Sequence, residues 1–481
     1  MDTSPSHGMR DLRWLLVLAA AFRTLFWLAM PRVLDSADAI HYVENAQHFA
    51  DLNLAFVDPK IPPLYPLLGA HLHLLVPDLE FALRLVSFFC SILTVVPVYA
   101  IALRLHGRRT ATLAALTVIV WPWLADYGSR VSTEATAVLL WLCAVWGLLA
   151  ALEGKKGAAW CSALAFSGLY LCRAEGLFIF LFAFPVVLVA ARLTMQSVWR
   201  LATPYAVLLV LTSAPYMLYN RALAGAATAN YRVGFILEEF DLLRFADTAY
   251  KTLFEVLPIM LGPILLLFLG VGLLQSLVER RAPMPTAIVL AFAAAQWFVS
   301  LFVLSPAPRY LMAPLLVLML WSAAGIEQTR AALTLLTTRR WIPYAPHALL
   351  LGVMLAYGLV TVGAEHLGRQ PREPREYKAA GEWMRENLEP GLLFSRKPQV
   401  GYYAGMHSTG PADNDTLDTA LQRAAAANAR YVVVDERYAP PSLRALLDPA
   451  AAPDSLEHLK TFDDYPASRV VVYRLRPVLP Q

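Results

Sequence analysis

Stretches of roughly 20 apolar residues, separated by short clusters of arginine and lysine, recur along this chain and leave it few ways to fold. A run of that length matches the hydrocarbon core of a bilayer when wound as a helix, and a helix satisfies every backbone polar group internally. About eleven such runs are present, near residues 14–30, 81–103, 111–125, 134–152, 158–171, 176–191, 201–219, 256–278, 287–304, 310–324 and 345–363. Composition agrees: 58% of the 481 residues are hydrophobic and only 16% are charged. Soluble domains hold roughly 45–50% apolar residues, so the excess cannot be one soluble core. The first run follows Arg10 and Arg13 and is long enough to span, with no small-residue cleavage site after it. It is expected to remain as a first transmembrane helix rather than leave as a signal peptide.

The basic residues set the expected orientation. Alternate loops carry Arg10/Arg13, Arg104/Arg108/Arg109, Lys155/Lys156, Arg192/Arg200, Arg280/Arg281 and Arg330/Arg339/Arg340, while the other loops hold single cations such as Arg130, Arg173 and Arg309. The positive-inside rule makes the first set cytoplasmic, with the N-terminus inside and the C-terminus outside, in a multi-pass protein of the inner (plasma) membrane. Net charge is only +4, and no basic run is interleaved with aromatics, so no nucleic-acid partner is expected. Cys90, Cys143, Cys161 and Cys172 all fall in apolar runs and read as small hydrophobes rather than ligands or disulfide partners.

Residues 1–366 are expected to form the membrane domain. Its first outer loop spans 31–80 and a second long outer loop spans 220–255. Within the first loop, Asp38–Asp51 and Leu67–Val76 suit short helices lying in the interface. Gly368–Glu376 reads as a linker. Residues 376–481 alternate helix and strand, with a helix near Glu376–Leu388, strands near Gly391–Ser395, Tyr431–Asp435 and Val470–Leu475, and a helix near Thr416–Ala427. That pattern predicts a small extracytoplasmic α/β domain.

The acids and arginines that attract attention share one expected level, the outer membrane surface. Asp38 and Tyr42 are four apart and share a helix face. Glu134 opens a span, Arg173-Ala174-Glu175-Gly176 joins two spans, and Arg309-Tyr310 opens another. Ionisable groups at membrane depth face a cavity or one another. A carboxylate suits deprotonation of an acceptor hydroxyl, and the guanidinium fork suits a phosphate. Simpler readings stand beside these. Asp38 suits a helix N-cap, Tyr42 an interfacial anchor, and Arg173 and Arg309 snorkelling at helix ends or, for Arg173, a pair with Glu175. His41, His71 and His73 invite a metal, but His71-x-His73 has strand spacing and no carboxylate is near in sequence, so no metal is expected.

Asp38-x-x-x-Tyr42-x-x-x-Ala46-x-x-Phe49 followed by Pro62-Pro63-Leu64-Tyr65-Pro66-Leu67 resembles the first outer loop of bacterial family 39 glycosyltransferases. These are related to protein O-mannosyltransferases and the lipid A aminoarabinose transferase. Arg173-Ala174-Glu175-Gly176 is similar to that family's Arg-Pro-Glu-Gly turn, and Ser305-Pro306-Ala307-Pro308-Arg309-Tyr310 before an apolar span also matches. Trp383, Tyr402-Tyr403-Ala404-Gly405 and Ala429-Arg430-Tyr431-Val432-Val433-Val434-Asp435 resemble the family's extracytoplasmic tail. The chain departs from the pattern at Ala39, where many members carry Glu, and at Glu134, where many carry Asp. The resemblance implies the GT-C fold and inverting transfer of a sugar from a polyprenyl-phosphate donor to an extracytoplasmic acceptor (glycolipid, polysaccharide or protein), without a cofactor. It implies Asp38 and Glu134 as the catalytic acids. Arg309 and Arg173 are then the phosphate ligands, and Tyr42, Tyr65, Glu175 and Tyr310 the substrate contacts. A transporter or lipid flippase is the alternative, but it calls for two related halves or matched broken helices, and no internal repeat is visible.

Overall fold

The computed structural model describes residues 5–224, 241–279, 282–302, 307–366, 374–412, 414–464 and 469–476. The cations Arg280 and Arg281, the motif residues Ser305 and Pro306, positions 368–373 of the linker and positions 225–240 of the second outer loop lie outside them. The chain divides into two compact units. One comprises Met1–Leu28 with Val43–Leu359, and the other Ala29–Tyr42 with Val360–Gln481.

The first unit is a helical membrane bundle. Among the described residues, nine helices are long and apolar enough to cross a membrane. The apolar helix Ala158–Cys172 is shorter, and the run at 111–125 is split into Arg108–Val120 and Pro122–Tyr127 at Trp121-Pro122. Over its described residues, every run read from the sequence therefore lies on a helix or an interrupted helix. The loops expected to share one side are tied together by charge. Arg104 Nε donates to Glu153 at 2.7 Å and Arg108 Nε to Asp11 at 2.6 Å.

Two features show how the bundle packs. Gly272 and Gly325 face each other where Leu257–Glu279 crosses Met312–Leu336. A Cβ on Gly272 would stand 1.9 Å from the Trp321 carbonyl oxygen, and one on Gly325 2.0 Å from that of Phe268. Lipid offers no hydrophobic drive between helices, so contact of this closeness supplies the packing energy. Within Leu257–Glu279, Gly262 is non-helical (φ 73°, ψ 163°) ahead of Pro263. The proline removes a ladder hydrogen bond, and near this kink the Met260 carbonyl accepts from Trp121 Nε1 at 3.0 Å.

The outer loops are more ordered than their polarity suggests. The first contains helices Ala37–Ala50 and Leu64–His73; His71 and His73 thus lie on a helix, not the strand their spacing suited. Buried Asn45 closes part of this loop by donating to the Asp58 carbonyl at 3.1 Å and accepting the Asp58 N–H at 2.9 Å. The expected second outer loop, 220–255, is helical in its described later part. Leu242–Lys251 runs through a π turn at Thr252–Val256 into the next span. Its apolar residues recur at helical spacing, which outweighed the charged residues that suggested a loop.

The second unit contains a five-stranded sheet in the order β2-β1-β3-β5-β4, where β1 is Leu392–Ser395, β2 Ser408–Thr409, β3 Ala429–Asp435, β4 Leu456–Phe462 and β5 Val470–Leu475. β1 lies parallel between β2 and β3, and β5 runs antiparallel between β3 and β4. Alternate residues of β3 point to opposite faces. Tyr431 and Val433 pack with Tyr377, Ala380 and Met384 of helix Arg375–Asn387, while Val432 and Val434 pack with Ala420 and Ala424 of helix Leu417–Ala426. The strands expected at 391–395, 431–435 and 470–475 form, while β2 and β4 have no counterpart in the sequence reading.

Candidate active site

In the membrane unit, three segments distant in sequence meet around one small cavity. Glu134 begins helix Glu134–Leu152 and is 5% exposed. Arg173 and Glu175 occupy the turn between Ala158–Cys172 and Gly176–Leu193. Arg309 and Tyr310 form a 3-10 turn before Met312–Leu336. The Arg173 guanidinium is the hub. Its Nη1 donates to Glu134 Oε1 at 3.0 Å and to Thr133 Oγ1 at 3.2 Å, and its Nε donates to Glu175 Oε1 at 2.5 Å. It also lies 5.0 Å from the centre of the Tyr310 ring, as does the Arg309 guanidinium. Such stacking suits the weakly hydrated planar cation.

The turn that places Arg173 depends on Gly176. A Cβ there would come within 2.6 Å of the Leu169 carbonyl and the Tyr170 nitrogen, so only glycine lets the second helix start this close to the first. The cavity holds about 20 Å³, room for roughly one water molecule. Glu134, Arg173, Glu175, Gln296, Arg309 and Tyr310 line it. Two carboxylates and two guanidiniums therefore balance in charge. Burial works to raise the Glu175 carboxyl, but the charge and hydrogen bond of Arg173 outweigh it and hold the group below the ordinary carboxylate range.

Gln296 escaped the sequence reading. It is 7% exposed on helix Pro283–Leu301, and its only sequence signal was one amide within an apolar run. Asp126 was also missed. It sits 3% exposed on Pro122–Tyr127 and takes both Nε and Nη2 of Arg130, each at 2.9 Å. The pair is four residues apart, but the helix it occupies looked like the end of a span.

Tyr65, expected among the substrate contacts, lies in the core with no exposure. Its hydroxyl donates to the Leu83 carbonyl at 2.9 Å, shares a 2.8 Å hydrogen bond with Ser87 Oγ, and accepts the Ser132 N–H at 3.0 Å. It joins the first loop to the strand of chain leading into Glu134.

Asp38 and Tyr42 belong to the other compact unit. Asp38 is in the first turn of Ala37–Ala50, but the capping side chain is Ser36, whose Oγ accepts the Ala39 N–H at 3.2 Å. Both Asp38 and Tyr42 are partly exposed.

Comparison with known proteins adds to this geometry. The profile of the dolichyl-phosphate-mannose-protein mannosyltransferase family matches residues 60–218. No curated protein matches the chain by sequence. Solved structures match it over most of its length. ArnT from Cupriavidus metallidurans in the apo state aligns with TM-score 0.61 and 15% identity, covering 96% of this chain and 97% of ArnT. The same protein bound to undecaprenyl phosphate aligns with TM-score 0.61 and 13% identity over 96% and 98%. The Archaeoglobus fulgidus oligosaccharyltransferase in the apo form aligns with TM-score 0.55 and 15% identity over 90% and 70%. The chain thus has the GT-C fold with a small C-terminal sheet domain, and it is similar to family 39-type glycosyltransferases, as its motifs implied.

Proposed function

We propose that this protein is an inverting membrane glycosyltransferase that moves a sugar from a polyprenyl-phosphate donor to an acceptor hydroxyl outside the cytoplasm. The observation that carries the reading is the charge-balanced set of Glu134, Arg173, Glu175 and Arg309 around a cavity, in a fold shared with ArnT. One ArnT structure of that fold holds undecaprenyl phosphate. An archaeal oligosaccharyltransferase of similar fold holds a dolichol-phosphate. The protein sits in the inner membrane with its N-terminus cytoplasmic, and residues 376–481 form the extracytoplasmic domain.

In this mechanism Arg309 and Arg173 bind the donor phosphate, whose oxygens accept from the guanidinium forks. Glu134 and Glu175 hold Arg173 in its orientation. Tyr310 provides the ring on which both guanidiniums stack, and Tyr42 contacts substrate beside the base. Asp38 takes the proton of the acceptor hydroxyl as that oxygen attacks the anomeric carbon from the face opposite the leaving group. The bond from the anomeric carbon to the phosphate oxygen breaks, its electron pair stays on the phosphate, and polyprenyl phosphate departs. Hydrogen bonds from the two arginines supply the leaving-group stabilisation, and the family resemblance implies that no metal is needed.

The test is sugar transfer from a panel of polyprenyl-phosphate sugars by the purified full-length protein, wild type beside Asp38→Asn, with and without EDTA. One donor should be consumed, with EDTA having no effect. Asp38→Asn should lower the rate by roughly 10²–10⁴-fold while donor binding persists. Folded wild-type protein that neither binds nor consumes any donor, with membrane extract present as acceptor, would overturn the assignment.

A further inference from the structure

The compact unit that holds the C-terminal sheet also takes in Ala29–Tyr42, the segment that ends in Asp38 and Tyr42. Hydrogen bonds join that segment to the sheet domain, two of them among the described residues being at Leu34 and Arg32. Tyr403 Oη accepts the Leu34 N–H at 2.7 Å, in a buried setting. Lys378 Nζ donates to the Arg32 carbonyl at 2.9 Å. Lys378 lies on helix Arg375–Asn387 and Tyr403 on helix Gln399–Ala404, with Lys378 Nζ 5.1 Å from the Tyr403 ring centre. Leu34 has no exposure and Val33 is 6% exposed, so a short irregular stretch is fixed by both burial and backbone hydrogen bonds. An irregular segment has no ladder to hold its own N–H and C=O groups. Here the partners come from side chains more than 340 residues away.

The two helices that carry the contacts are themselves set closely. A Cβ on Gly381 would stand 2.5 Å from Tyr403 Cβ and 2.7 Å from the Val400 carbonyl. Gly405, at φ 66°, then ends the Tyr403 helix. Tyr403 is held from behind by Gly381 and reaches the Asp38 segment with its hydroxyl. Ser36 caps the next helix two residues after Leu34, so the anchor lies four residues before Asp38.

We infer that the tail domain is a clamp on the Asp38 segment, with Tyr403 and Lys378 as positioning residues for transfer. This rests on the proposed role of Asp38 as the base. A small misplacement of a reacting group is costly, since about 1 Å can lower a rate by roughly 10²-fold. The clamp acts on geometry, so it should alter turnover more than donor binding.

The test uses full-length protein and the polyprenyl-phosphate sugar of the panel that the wild type consumes. Tyr403→Phe removes only the acceptor oxygen. It should lower kcat by about tenfold with KM for donor within about twofold, and speed hydrogen exchange in peptides covering residues 31–42. Lys378→Met, at the more exposed contact, should lower kcat about two- to threefold, and it carries the test if Tyr403→Phe does not fold. In the Asp38→Asn background Tyr403→Phe should lower the residual rate no further; an additional full tenfold loss would overturn the clamp. Inactive Asp38→Asn beside Tyr403→Phe with wild-type kcat and wild-type exchange sinks this inference alone. Asp38→Asn at the wild-type rate sinks the base assignment and the clamp with it.

Discussion

Both units of this protein bury a set of charges, and the two sets are built differently. In the membrane unit two carboxylates, Glu134 and Glu175, meet the two guanidiniums of Arg173 and Arg309 around a cavity. In the tail, Glu376 and Asp435 are each 3% exposed, and the cation beside them is Arg437, whose Nε lies 2.9 Å from Glu376 Oε1. Tyr377 Oη and the Tyr438 N–H both donate to Asp435 Oδ1 at 2.7 Å. The tail set has an acid in excess. Burial, reinforced by the Asp435 charge, pushes the Glu376 carboxyl up to about 7 despite Arg437. It also pushes the Tyr377 phenol well above its ordinary range. The membrane set lines open space with two guanidiniums, which the proposed donor phosphate would meet, whereas the acid-rich tail set holds a proton instead. Buried charge by itself therefore does not mark a site. The adjoining space and the guanidiniums that line it separate the two sets.

Replacing the hub of the open set should have the largest effect. Arg173→Met leaves Glu134 buried without its cation, which costs about 3–5 kcal/mol of stability. Transfer should fall by more than about 10²-fold, read in the donor assay beside thermal unfolding. Arg173→Lys sharpens the comparison, because it keeps the charge and loses the fork. It should retain most of the stability yet still lose about tenfold or more in rate. Equal losses of stability in the two variants would mean that Arg173 serves packing rather than phosphate.

Gly176→Val tests whether the turn places that hub. The side chain would strike the Leu169 carbonyl, so the variant should be destabilised by about 1–3 kcal/mol and lose transfer with it. A fully active, fully stable variant would show that the close helix start is dispensable.

The tail set predicts a pH dependence that the membrane set does not share. Between its ordinary value near 4.5 and about 7, folded Glu376 holds a proton that the unfolded chain has released. Its contribution to stability is complete below the ordinary value and is lost as pH rises through about 7. In the full-length protein, the protection of residues 374–464 against hydrogen exchange, taken relative to the base-catalysed rate of an unstructured chain at each pH, should therefore fall between about pH 5 and about pH 8. Glu376→Gln should flatten that dependence, and an unchanged profile in the variant would remove Glu376 as its cause. The smallest effect is expected at Gln296, where Gln296→Leu should change transfer by less than about threefold, because the amide lines the cavity without joining the Arg173 network. A larger loss in the donor assay would place Gln296 among the substrate contacts.

Much of the architecture was legible before any coordinates. The bilayer enforces long apolar runs, and each run read from the sequence found its helix. Within the tail, β3 was visible as four consecutive residues with β-propensity, Tyr431-Val432-Val433-Val434. The edge strand β4, Leu456-Glu457-His458-Leu459-Lys460-Thr461-Phe462, was not, because only its end residues are buried. The two-residue strand β2 carries too little pattern to be read at all. The site was legible as residue types and only partly as an arrangement. Arg173, Glu175 and Glu134 were expected at one level and do meet, whereas Tyr65 proved to be a core tie between loops.

The sequence by itself determined a multi-pass helical protein with an appended α/β domain, because hydrophobic length and period depend on local order along the chain. It also supplied arginines and acids at helix ends, since those ends are where charge is tolerated near a bilayer. Only the tertiary structure decided that the Arg173 guanidinium serves Glu134 of another helix as well as Glu175 of its own turn. It also showed that the Asp38 segment joins the tail unit through Tyr403, 369 residues beyond Leu34. Such contacts depend on packing between surfaces distant in sequence, such as the approach that Gly381 permits, and no local pattern encodes them.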